Sequence, residues 1–259
     1  MTTLPLSNFP PAQFDISSSR RRSRFGRSLA VGLEWSRRLL PQCCAFCVAP
    51  CRDRLVCDAC ALDLPRIPEA CPLCALPALR GQVCGVCLTR PPPFDATIAA
   101  CVYAFPLDRL LQAYKYGGRL AYADFFAAEL AQSTAARARP DVVVALPLSA
   151  ARQRERGFDQ AREVARRVAR LHALPLAAAL TRTRDTPAQA ALPWRERARN
   201  VRNAFVADRS VAGLRIALVD DVMTTGSTLA AAADALRRAG AAGVEAWVIA
   251  RTLPPSPQP

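Results

Sequence analysis

The chain is nearly devoid of lysine and histidine. Among its 35 basic residues only Lys115 is Lys, and His172 is the single His. One His excludes a Ser-His-Asp or Cys-His triad that does not use it. It closes a helical stretch, where a surface position is expected. No run of about 18 apolar residues occurs, so no membrane span is expected. The N-terminus also lacks a compact apolar secretory region. Neither G-x-G-x-x-G nor G-x-x-x-x-G-K-S/T is present, which excludes the dinucleotide-binding and P-loop readings.

What is present is a chain of 259 residues, 51% hydrophobic, with a formal net charge of +14. That length and apolar content suit one sizeable domain plus a small one. The charge favours polyanionic partners such as nucleic acid or phosphorylated metabolites. A general enrichment in Arg, Ala and Pro accounts for the charge equally well. Arginines nevertheless cluster near residues 20–27, 152–156 and 195–202. The 11 Cys fall largely in CxxC pairs, a pattern of metal binding in a reducing compartment, here the cytoplasm.

Residues 1–40 read as a basic tail and lead-in helix, partly disordered. Residues 41–92 hold four CxxC pairs: Cys44/Cys47, Cys57/Cys60, Cys71/Cys74 and Cys84/Cys87. Each CxxC turn sets two thiolates on one side of a knuckle, and two knuckles complete a tetrahedral sulfur site whose usual occupant is zinc. Sequential pairing is favoured, giving two structural Zn²⁺, with interleaved pairing and a disulfide scaffold as alternatives. So short a module needs its metal, since structural zinc contributes on the order of 10–16 kcal/mol in small metal-folded units. Cys43, Cys51 and Cys101 fall outside the pairs, and Cys101 reads as core. Pro91-Pro92-Pro93 forms a stiff hinge.

From residue 93 to 253 the pattern alternates strands and helices, which predicts a parallel α/β sheet. Strands are expected at 96–105, 141–147 and 244–252. Helices are expected at 107–116, stopped by Gly117-Gly118, then at 120–136 and 161–171. The third should turn Ala161, Val164, Ala165, Val168 and Leu171 inward and leave Arg162, Arg166, Arg167 and Arg170 exposed. Residues 181–203 are long, polar and broken by Pro187 and Pro193, as a functional lid would be. A Pro-rich tail, 254–259, follows.

The densest chemistry lies in Leu214–Leu229, LRIALVDDVMTTGSTL. An apolar strand over 214–219 ends in Asp220 and Asp221, at the strand end where open α/β sheets bind ligands. Thr224, Thr225, Gly226, Ser227 and Thr228 then lead into an Ala/Leu helix. Backbone N–H groups of such a loop, backed by a helix N-terminus, hold phosphate without Lys. Carboxylates followed by this loop suit a phosphorylated sugar.

Leu218–Thr228 resembles the phosphoribosyl-pyrophosphate (PRPP) motif of type I phosphoribosyltransferases. From residue 41 onward the chain resembles the ComF/GntX family. The resemblance rests on the cysteine pairs, Tyr114-Lys115-Tyr116-Gly117-Gly118, Arg156-Gly157-Phe158, Thr186-Pro187-Ala188-Gln189, Arg197-Ala198-Arg199-Asn200-Val201 and the PRPP motif. It implies a type I phosphoribosyltransferase-like parallel sheet with a small N-terminal zinc-ribbon or knuckle module. It further implies that Asp220 and Asp221 bind the ribose hydroxyls, that Thr224–Thr228 hold the 5-phosphate, and that Leu148 and Ser149 lie near pyrophosphate bridged by Mg²⁺. Lys115, Arg156, Gln189, Arg197 and Asn200 become lid or phosphate contacts. Asp159 and Ser149 depart from the family pattern, which has Asn and often His there.

Two classes of function follow from the resemblance. One is phosphoribosyl transfer to an unidentified base in nucleotide salvage. The other is a PRPP-binding protein serving DNA uptake in competence, as a nucleotide sensor or a single-stranded-DNA accessory factor beside a competence helicase. The second class, with catalysis left open, is favoured.

Overall fold

The computed structural model describes residues 42–51, 54–183 and 204–254. The cysteine-rich segment carries the two-residue strands β1 (Gln42–Cys43) and β2 (Pro50–Cys51) and the short helices α1 (Asp58–Leu62) and α2 (Gly85–Thr89). Then come β3 (Ala96–Val102), α3 (Leu107–Tyr116), α4 (Tyr122–Thr134), β4 (Val142–Ala145), α5 (Ala150–Arg156) and α6 (Gln160–Leu171). The remainder is β5 (Leu176–Ala177), β6 (Leu180–Arg182), β7 (Phe205–Ala207), β8 (Arg215–Met223), α7 (Ser227–Arg238) and β9 (Gly243–Arg251).

Five strands form one sheet in the order β3-β9-β8-β4-β5, with every pairing parallel. Parallel neighbours require crossover connections, and the helices between strands supply them. The central strands are buried on both faces, so their side chains divide by period two. Ala217, Val219, Trp247 and Ile249 enter one core with Leu111, Tyr114, Phe126 and Val164, and Ile216, Leu218, Ala246 and Val248 enter the other with Leu229, Leu236 and Phe205. Strands β6 and β7 pair separately, antiparallel.

Strand β8 is longer than its apolar run suggests. It continues through both carboxylates to Met223, because β9 keeps pairing with it: Asp220 stands opposite Val248 and Met223 opposite Arg251. The partner strand, rather than side-chain polarity, sets its end.

Sheet order leaves β3 at an edge, and the cysteine-rich segment covers it. Thr97 N donates to Pro72 O at 2.8 Å and Val102 N to Pro65 O at 2.6 Å. Thr97 Oγ1 donates to Leu73 O at 2.7 Å, and Arg66 Nη1 to Ala100 O at 3.1 Å. Arg66 also pairs with Glu129 of α4. Cys44, Cys51 and Val56 add apolar packing against the α3 and α4 side of the core.

The last turn of α6 corrects three expectations. Leu171 is 60% exposed rather than inward. The stripe through Ala161, Val164, Ala165 and Val168 continues four residues on to His172, not to Leu171. His172 is half-buried, its Nε2 is 2.8 Å from Thr134 Oγ1, and its ring packs against Trp247 at 5.5 Å. Burial, with Arg139 nearby, lowers its pKa. It is thus a half-buried residue packed at the rim of the core, not a free surface one. Of the four arginines expected on an open face, Arg162 and Arg170 are exposed. Arg167 is drawn in, bonding Asp124 at 2.5 Å and Glu163 at 2.6 Å.

Candidate phosphate-sugar site and cysteine tetrads

The carboxyl ends of β4 and β8 open into a cavity of about 560 Å³, a size typical of small-ligand sites. Asp220, Asp221, Thr224, Thr225, Gly226 and Thr228 line one side, and Lys115 and Leu148 reach it from α3 and the turn after β4. Arg152, Arg156 and Arg182 form a cationic wall.

Asp220 Oδ1 accepts from Asp221 N at 2.8 Å. Burial, reinforced by the Asp221 charge, raises the Asp220 pKa to about 7 against the opposing pull of that N–H and of Lys115. Lys115 Nζ lies 3.1 Å from Asp221 Oδ2.

The loop after β8 is shaped by Gly226, whose φ of +79 only glycine adopts without strain. A Cβ there would meet Met223 Cε at 2.6 Å. Thr225 Oγ1 accepts from Ser227 N at 3.1 Å and lies 2.8 Å from Ser227 Oγ, fixing the entry to α7. The 12-residue α7 directs its N-terminus at this loop.

The sequence-derived residues separate into four groups. Asp220, Asp221, Thr224, Thr225, Gly226, Thr228, Leu148, Lys115 and Arg156 meet at the cavity. Ser149 is buried and caps α5, its hydroxyl accepting from Arg152 N at 3.4 Å. Ser227 faces an adjoining, more apolar cavity of about 810 Å³ between α7 and the second cysteine knuckle. Gln189, Arg197 and Asn200 lie outside the described residues.

Arg156 stacks over Tyr116 at 5.2 Å and donates from Nη1 to Gln160 Oε1 at 3.1 Å. Asp159 accepts from Arg162 N at 3.0 Å and from Leu148 N at 3.4 Å, so the turn after β4 is tied to the start of α6. Burial raises the Asp159 pKa despite both N–H donors.

Sequence reasoning passed over Arg251. It closes the apolar strand β9 yet is 3% exposed. Its signal was a charged residue ending a run of buried ones, immediately before a Pro-rich tail.

The cysteine sulfurs gather as Cys44, Cys47, Cys57, Cys60 and as Cys71, Cys74, Cys84, Cys87, each set within 4.8 Å. The two sets share a spacing. Cys57 N donates to Cys44 Sγ at 3.4 Å and Cys84 N to Cys71 Sγ at 3.3 Å, both across 13 residues. Cys47 and Cys57, like Cys74 and Cys84, have sulfurs 3.7 Å apart. A tetrahedron with Zn–S of about 2.3 Å has edges of about 3.8 Å, whereas a disulfide is about 2.05 Å. The donor set therefore fits zinc. Burial pushes the Cys44 and Cys71 thiols up, but converging N–H donors prevail and lower them to about 6 and about 7. Cys60 and Cys87 are raised, the first mainly by hydrogen bonds from Cys47 and Cys57 and the second mainly by burial. Cys43, Cys51 and Cys101 belong to neither set, although Cys51 lies against Cys44 of the first.

Asp220 and Asp221 offer the hard oxygen donors that suit Mg²⁺, an ion that keeps few protein ligands when it travels with phosphates. Among the described residues, no helix is long and apolar enough to cross a membrane.

Comparison with known proteins places this geometry in context. The phosphoribosyl transferase domain matches residues 119–253. DNA utilization protein YhgH of Escherichia coli (strain K12) is 38% identical over 173 residues, covering 64% of this chain and 76% of the relative. Competence protein F of Haemophilus influenzae is 32% identical over 174 residues, covering 63% of this chain and 76% of that protein. A solved glutamine PRPP amidotransferase from B. subtilis, complexed with ADP and GMP, aligns at 25% identity with a TM-score of 0.38 over 52% of this chain and 30% of that one.

Proposed function

This chain belongs to the phosphoribosyl transferase domain family, in its ComF-type group, and from that premise we propose that it binds PRPP with Mg²⁺ in the cavity at the end of β8 and serves DNA uptake or nucleotide and DNA processing in the cytoplasm. One observation carries the reading. Two adjacent carboxylates are followed two residues later by a glycine-turned, hydroxyl-rich loop at a helix N-terminus, and Asp220, Asp221, Thr224, Thr225, Gly226 and Thr228 line one cavity.

In this reading Asp220 and Asp221 accept hydrogen bonds from the ribose 2- and 3-hydroxyls. Backbone N–H groups of Thr224–Thr228 hold the 5-phosphate, with the α7 N-terminus behind them. Lys115 orients Asp221 and offsets the charge that gathers at the carboxylates. Leu148 and the guanidinium wall face the pyrophosphate. Asp220 and Asp221 are the carboxylates that would also be at hand for a Mg²⁺ bound with the substrate, whose chemistry would be to offset charge on the phosphate oxygens. Zinc in each cysteine tetrad holds the N-terminal module together. Where transfer occurs, the bond from ribose C1 to pyrophosphate breaks through an oxocarbenium-like state and a base nitrogen supplies the new bond. Water must be kept out of the cavity meanwhile.

A second reading, a single-stranded-DNA accessory role, is favoured by Arg152, Arg156 and Arg182 on the cavity wall and by the +14 net charge. Purified protein mixed with PRPP and Mg²⁺ distinguishes the cases. Pyrophosphate release that depends on an added base, and is lost in Asp220→Ala/Asp221→Ala, identifies a transferase. Tight binding without release identifies a sensor. Absence of both, with single-strand binding that weakens steeply as salt rises, identifies the DNA role.

A further inference from the structure

Arg251 is a buried cation that forms no ion pair with a carboxylate among the described residues. Its guanidinium donates to four backbone carbonyls drawn from three segments. Nε reaches Cys74 O at 2.8 Å. Nη1 reaches Met223 O at 3.0 Å, Thr252 O at 2.8 Å and also Thr224 O. Burying a guanidinium is costly unless its donors are satisfied, and here main chain alone satisfies the bonded ones.

The carbonyls it selects are informative. Met223 and Thr224 open the loop facing the phosphate-sugar cavity. In a planar trans peptide the C=O and the following N–H point in opposite directions. Turning the Met223 and Thr224 carbonyls onto Arg251 therefore aims the N–H groups of Thr224 and Thr225 away from the guanidinium. Cys74, the third partner, belongs to the second cysteine tetrad. Met223 O is also held by Thr252 N at 2.9 Å, so the side chain adds to the ladder there, while at Thr224 O and Cys74 O it ties the first free peptide of the loop to the backbone of a cysteine knuckle.

We propose that Arg251 is a positioning residue that makes the second cysteine knuckle a working part of the phosphate loop, so that affinity for a phosphorylated ribose depends on the knuckle being folded about its metal. This rests on the reading of the loop given under Proposed function. The knuckle then acts as the far wall of the phosphate site and not as a separate appendage. Lys cannot replace Arg251 fully, because a point ammonium lacks the rigid fork that serves several carbonyls at once.

The test is a thermodynamic cycle on the full chain. Affinities for PRPP and ribose 5-phosphate are measured by calorimetry in Mg²⁺ for wild type, Arg251→Met and Arg251→Lys. Each protein is examined before and after zinc is withdrawn by a chelator, with zinc content measured in parallel. Hydrogen exchange of residues 223–226 is followed in the same samples. Arg251→Met is expected to lose at least tenfold in affinity while retaining its zinc, with faster exchange in the loop. Arg251→Lys is expected to fall between. Zinc withdrawal is expected to cost wild type a similar factor and Arg251→Met little more.

Unchanged affinity in a folded Arg251→Met overturns the inference. So do equal losses on zinc withdrawal in wild type and variant. Should Arg251→Met not fold, unchanged affinity and loop exchange in Arg251→Lys overturn it instead. Failure of zinc-loaded wild type to bind either ligand overturns the site reading and this inference together, an outcome distinct from the others.

Discussion

Lys115 Nζ sits 3.1 Å from Asp221 Oδ2, joining the last turn of α3 to the end of β8. Both side chains are largely buried, so solvent screens the pair weakly. Lys115 also opposes the upward push on Asp220. Lys115→Met leaves two carboxylates side by side without that compensation. PRPP affinity in Mg²⁺ should fall about 10- to 100-fold, or about 1.4–2.8 kcal/mol. The pH at which binding reaches half its maximum should move upward. Calorimetry between pH 6 and 9 checks both, and an unmoved midpoint would contradict the assigned role.

The elevated Asp220 pKa makes the ligand-free protein pH-sensitive. The folded-state value of about 7 exceeds the ordinary carboxylate value of 3.8, so the folded state binds the proton more readily. Its contribution to stability is complete below about pH 4 and is lost as pH rises through about 7. Asp220→Asn keeps the shape and removes the charge. Its melting temperature should exceed that of wild type by several degrees at pH 8, at about 2–4 °C per kcal/mol, and by less at pH 6. Differential scanning calorimetry reads the difference. A larger gain at pH 6 would reverse the sign and refute the argument.

Gly226→Ala should impair the loop with little effect on the sheet. Met223 Cε can swing aside, but the positive φ remains. The strain should cost about 1–2 kcal/mol of stability. The larger effect should fall on phosphate affinity, because the loop's N–H groups turn with that residue. Comparing denaturant midpoints with PRPP titrations separates the two.

Metal analysis of protein prepared under reducing conditions should find two zinc per chain. Cys47→Ser should leave one, with exchange protection lost in residues 42–62 and retained in β8 and β9. Two zinc in that variant would show that Cys47 is not a required ligand of either ion.

Much of this architecture is legible in the residues. The apolar, β-branched runs around Val143 and Leu218 announce buried parallel strands, and the CxxC pairs announce tetrads. The loop from Thr224 to Thr228 is readable because a glycine and small hydroxyls have few other reasons to follow two aspartates. Other features depend on neighbours distant in sequence. Strand β8 runs past its own carboxylates because β9 continues beside it. His172 is half-buried because Thr134 and Trp247 lie against it. Arg251 gains its meaning from carbonyls 27 and 177 positions away. Polarity patterns report which side chains avoid water, but they carry no record of where main-chain carbonyls converge.

The covered edge of β3 bears on how copies of this protein can meet. An open edge strand invites a second molecule to continue the sheet. Here Thr97 N and Val102 N already donate within the chain, and Ala100 O already accepts from Arg66. The opposite edge offers only the two residues of β5. Among the described residues, the five-stranded sheet therefore leaves little free edge for a second copy to extend. The segment that carries the cysteine tetrads thereby also shields one rim of the sheet from the edge-to-edge contact by which sheets aggregate.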